Sequence, residues 1–129
     1  MKYAMLIYVD ETAVTEQQRE QCYRESAAYA QQLDSSGKYQ AAVPLHPTAT
    51  ATSIRIRGEK PVVTDGPFAE TREQLAGLFL VEAKDLDEAI DIASKIPAGR
   101  WGTVEIRPVV EIGGLPEEAK ALRPGAGAH

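Results

Sequence analysis

The residues best suited to chemistry fall in the stretch Thr64-Asp65-Gly66-Pro67-Phe68-Ala69-Glu70-Thr71. An Asp before a Gly accepts hydrogen bonds from nearby backbone amides, Gly66 can take backbone angles closed to other residues, and Pro67 fixes the exit direction. The product is a stiff corner that holds one carboxylate. Two readings of it stand together. Asp65 closes an Asx-type turn while Phe68 plugs the core, and the same stiffness presents Asp65 to a pocket as a catalytic acid or base. His46, in Leu45-His46-Pro47, is either a solvated loop residue or a general base that approaches Asp65 and works near neutral pH. Glu70 and Glu73 supply negative charge to the start of a short helical turn, or else extend an acidic, ligand-binding cleft. Glu105 and Arg107 share one strand face, where they form an ion pair or where the arginine clamps a ligand carboxylate.

Other chemistries lack their residues. Cys22 is the single cysteine, which excludes an internal disulfide and a cysteine-based zinc cluster, and one internal histidine among scattered carboxylates has no metal-ligand spacing. Gly113-Gly114 comes after the last strand with no phosphate-binding helix behind it, and no hydrolase-type nucleophile motif occurs. No cofactor and no metal are expected.

Two long segments must position these groups. Lys2 to Val9 and Leu75 to Ala83 are apolar on both alternating sets, as central strands covered on both faces would be. Thr15-Glu16-Gln17-Gln18 is a capping box that opens a helix with Cys22, Ser26, Tyr29, Ala30 and Leu33 on one face and Gly37 at its end. Asp85-Leu86-Asp87-Glu88 opens a second helix, with a stripe of Leu86, Ala89, Ile90, Ala93 and Ile96 that Pro97 stops. Tyr39 to Leu45, with Tyr39, Ala41, Val43 and Leu45 inward, and Thr103 to Ile112 carry Pro44 and Pro108, which suits the two edges of a sheet. Thr50 to Arg57 and Pro61 to Thr64 form a hairpin around Gly58-Glu59-Lys60, and Trp101 is the aromatic most exposed to solvent.

The order β-α-β, hairpin, β-α-β predicts an α+β fold, a ferredoxin-like βαββαβ sandwich with an inserted hairpin, spanning residues 1–112 and followed by a tail over 113–129. Both helices of such a domain cover one sheet face. The apolar set on the other face then calls for a homodimer joined through the sheets, with a small-molecule cleft beside it. At 129 residues and a net charge of -5, the chain fits one domain and lacks the clustered basic residues of a nucleic-acid binder. The first apolar run is too short to span a bilayer and has no cleavage-site pattern, so no membrane attachment is expected and a cytoplasmic location is the default.

Taken with Asp85-Leu86-Asp87-Glu88-Ala89 and the ending Val104-Glu105-Ile106-Arg107-Pro108-Val109, the Thr64–Thr71 corner resembles the DGPF branch of the YCII-related family, similar in turn to dimeric α/β-barrel proteins. The resemblance covers residues 2–110. It implies the ferredoxin-like fold, a homodimer and a small cleft with Asp65 as its carboxylate. Members of the branch are described as possible enzymes or as proteins encoded near alternative sigma factors. The wider family has a His and Asp pair proposed as acid-base machinery, and residues 16–36 here contain no His. Two functions are therefore carried forward. One is a small cytosolic enzyme doing acid-base chemistry on a small organic compound. The other is a non-catalytic ligand-binding or regulatory protein acting with a transcription regulator by protein contact.

Overall fold

The structure is a computed structural model and describes residues 1–116. All but the first residue of the expected helical turns over 116–122, and most of the expected tail, lie outside the described residues. The fold is mixed α+β, with two helices and antiparallel sheets. Strand β1 (Lys2–Val9) leads through a one-turn 3-10 segment (Glu11–Ala13) to helix α1 (Glu16–Ser35) and then strand β2 (Tyr39–Pro44). Strands β3 (Thr52–Arg57) and β4 (Lys60–Asp65) form a separate hairpin. Strand β5 (Gln74–Glu82), helix α2 (Leu86–Ser94), a 3-10 segment (Pro97–Trp101) and strand β6 (Gly102–Pro108) complete the unit. The main sheet has the order β2-β5-β1-β6, so both proline-bearing strands are edges.

Local chemistry sets the helix starts. Thr15 Oγ1 accepts from Gln18 N at 3.1 Å while Gln18 Oε1 accepts from Thr15 N at 2.9 Å, which satisfies donors that the first turn leaves unpaired. Asp85 Oδ1 does the same for Glu88 N at 2.9 Å. Gly37, at φ 77°, turns the chain out of α1. Tyr3, Met5, Ile7, Phe79 and Val81 from the two central strands are buried together with Leu33 of α1 and Ala89, Ile92 and Ala93 of α2, so both helices cover the same sheet face. The Tyr29 hydroxyl ties them, donating to Ile92 O at 2.7 Å.

Several details depart from the sequence pattern. The β2–β5 register slips between Tyr39 and Ala41, and this bulge reverses the alternation, so Ala42 packs on the core while Val43 and Leu45 are exposed. In α2 the buried stripe is Ala89, Ile92 and Ala93, with Ile96 buried just past the helix end, and Leu86 and Ile90 are exposed instead. Strand β6 ends at Pro108 rather than Ile112 because its neighbour β1 begins at Lys2, leaving Val110 and Ile112 no strand to pair with. No helical turn forms at 71–74. There Thr71 Oγ1 donates to Glu73 O, Gln74 Nε2 donates to Thr71 O, and β5 begins.

Candidate functional site

A cavity of about 360 Å³ lies between α1 and the covered face of the sheet. Ile7 and Val9 of β1, Tyr39 and Ala42 of β2, Gly77 and Phe79 of β5, and Cys22, Ser26 and Ala30 of α1 line it. Its existence follows from residue size. Ala27, Ala30, Ala42, Ala76, Gly77 and Ala98 come from four separate segments and face the same space, where none can reach across. The sheet is also irregular here: β1–β5 pairing slips between Ile7 and Tyr8, and Gly77, at φ 159°, sits so close to β2 that a Cβ would lie 2.7 Å from Val43 O. Tyr23, Val43 and Leu45 line the cavity and are exposed, so it opens to solvent beside them.

The walls are largely apolar and the few polar groups are mostly engaged. Glu11 accepts from Thr48 N at 2.9 Å and from Thr48 Oγ1 at 2.5 Å, which joins the loop after β1 to the loop after β2. Burial pushes the Cys22 thiol above its usual range, so the group stays protonated near neutral pH and is a poor nucleophile. Trp101 is partly buried and forms one wall, in contrast to the exposed aromatic the sequence suggests. The Arg100 guanidinium stacks 4.2 Å from its ring centroid and is held in turn by Glu25, which it keeps below the ordinary carboxylate range. Arg19 also lines the cavity.

Asp10 stiffens the loop that carries Glu11. Its carboxylate accepts from Thr12 N at 3.0 Å and Thr12 Oγ1 at 2.6 Å, with Arg72 Nε 3.5 Å away; the Thr12 bonds foremost, aided by Arg72, hold it below its ordinary value of 3.8. A carboxylate depressed in the folded state stabilises that state above its unfolded pKa, and the contribution is lost as pH falls through the folded value. Urea melts from pH 6 down to pH 3 are expected to show wild-type stability declining below about pH 3.8. In Asp10→Asn part of that decline should be missing, and identical acid profiles would show the lock to be energetically idle.

The groups singled out by the sequence do not converge on this space. Asp65 ends β4, paired with Thr52, and is exposed; its carboxylate makes no hydrogen bond or ion pair with any described residue. Phe68 is 82% exposed, because the corner returns from a hairpin that projects off the main sheet and has no core beneath it. Gly66 does turn the chain, at φ 99°, with its N–H bonded to Ala51 O at 2.8 Å and its carbonyl accepting from Ser53 Oγ at 2.7 Å. His46 is exposed between two lining residues, Leu45 and Pro47, and Glu70 is exposed on the corner. Glu105 and Arg107 do meet, at 3.5 Å. They lie on the sheet face away from both helices, where burial and then the neighbouring Glu105 carboxylate push the Tyr8 phenol upward. The missed residue is Arg19. Its signal is an arginine in register with Cys22, Ser26, Ala30 and Leu33 on the buried stripe of α1.

The model of the YCII-related domain matches residues 1–113. The chain belongs to the YCII-related family. An uncharacterised protein of Rhizobium meliloti (strain 1021) is 36% identical over 114 residues, covering 84% of this chain and 92% of that protein. Among the described residues of this YCII-related protein, no three His, Cys, Asp or Glu side chains gather as metal ligands, and no helix is long and apolar enough to cross a membrane.

Proposed function

We propose that this YCII-related protein binds a small, mainly apolar organic molecule in the cavity between α1 and the sheet. The observation that carries the reading is the cavity itself: about 360 Å³ within the size of known ligand pockets, walled by Ala, Val, Phe and Trp side chains, with few uncommitted polar groups. Acid-base catalysis by Asp65 and His46 draws no support from their positions, since neither lines this space. Binding, with or without a reaction to follow, is the simpler account.

Ala30→Leu projects a larger apolar side chain from α1 into the void. The expected result is a folded protein, unchanged or up to about 2 kcal/mol more stable. Its thermal shifts with a panel of small aromatic and aliphatic compounds should vanish where wild type responds. Equal responses from the two proteins would place any ligand elsewhere.

The same reading includes the DGPF branch, the ferredoxin-like topology and a dimeric α/β barrel. Support for the dimer comes from the sheet face opposite the helices. Leu6, Leu78 and Leu80 occupy neighbouring positions there with Ala4 and Tyr8; all are only partly buried and none belongs to the core cluster beneath the helices. A second copy, related by twofold symmetry, would bury this face against its own counterpart.

A further inference from the structure

Resting on the cavity as the binding site, we propose that its ligand is an amphipathic organic carboxylate, with the apolar body between α1 and the sheet and the acid group on Arg19. Among the described residues Arg19 is the most covered arginine, the one that falls short of being an exposed residue. It lines an otherwise apolar cavity, and its guanidinium has no carboxylate or hydrogen-bond partner there. Four exposed arginines have partners: Arg24 bonds Gln21, Arg72 pairs with Asp10, Arg100 with Glu25 and the Trp101 face, and Arg107 with Glu105.

A guanidinium that borders an apolar cavity gives up part of its hydration, and its five donors need an acceptor in return. Glu11, the one carboxylate lining the same space, lies beyond ion-pair range of Arg19, and its oxygens are taken by Thr48 N and Oγ1. The uncommitted charge of the cavity is therefore positive. A planar carboxylate fits a guanidinium through two parallel N–H···O bonds, and the apolar walls favour a hydrocarbon or aromatic body over a sugar or a nucleotide.

The test uses the full chain and calorimetric titration of hexanoate, octanoate and decanoate beside the alcohols of equal length. Wild type should prefer at least one acid to its alcohol by tenfold or more. Arg19→Gln should lose that preference through weaker acid binding, with alcohol binding unchanged, and Arg19→Lys should keep part of it. Circular dichroism establishes that both variants fold. Acids and alcohols bound equally by wild type, or acid binding untouched in Arg19→Gln, would overturn the anchor while leaving the cavity reading in place. No binding of either series to wild type would overturn both.

Discussion

Gly102→Ala is expected to destabilise the protein by about 3 kcal/mol or more, a large share of the 5–15 kcal/mol that holds a typical domain together. Gly102 opens β6 opposite Val9, and a Cβ there would stand 1.8 Å from Tyr8 O and 2.9 Å from Val9 Cα. These are backbone atoms of a central strand, so no rotamer change relieves the clash and β1 and β6 must separate at this end. The melting temperature should fall by roughly 10 °C or more. Trp101, the preceding residue, would shift with it and disturb the cavity wall. Gly99→Ala is the control: three residues earlier a new Cβ meets only Val104 Cγ2 at an ordinary 3.5 Å, and stability should barely change. Similar melting temperatures for the two variants would show that the close approach of the strands is not a real constraint.

The second large effect concerns assembly. Wild type is expected to sediment as a dimer at low micromolar concentration. Leu6→Glu combined with Leu80→Glu should sediment as a folded monomer. Both leucines lie on the face away from the core cluster, so the monomer keeps its packing. In a face-to-face dimer, however, four added carboxylates would meet in a dry interface already holding Glu105. Unpaired buried charge costs several kcal/mol, enough to weaken association by roughly a thousandfold or more. A monomeric wild type, or a variant that still dimerises, would remove the sheet face as the interface. The hairpin face of Ile54, Ile56 and Val63 is exposed as well, and a lone two-stranded hairpin is marginally stable.

Elements with local causes were legible in the residues. The capping pairs Thr15 with Gln18 and Asp85 with Glu88 mark helix starts, because the side chains that satisfy the first-turn amides are near neighbours in sequence. Pro44 and Pro108 mark edges because a missing N–H is a property of one residue. The bulge near Gln40 was invisible. It changes the parity of everything after Tyr39 by one step, yet no composition signal accompanies it, so Ala42 rather than Ala41 faces the core. Ile92 displaced Ile90 from the buried stripe of α2 for a related reason: the periodicity admits several neighbouring faces, and only the sheet beneath selects one.

The site was the least legible part. The Thr64–Thr71 corner drew attention through residue types that are stiff and chemically capable, but stiffness does not say what lies opposite, and here Asp65 and Phe68 face solvent. The order of helices and strands, the two-sided apolar strands and the family can all be read along the chain, since each is written in contiguous residues. Only packing in three dimensions reveals that small side chains on four distant segments leave a cavity between α1 and the sheet, with Arg19 on its wall. A void is set by what fails to meet across space, and no single stretch of chain encodes that.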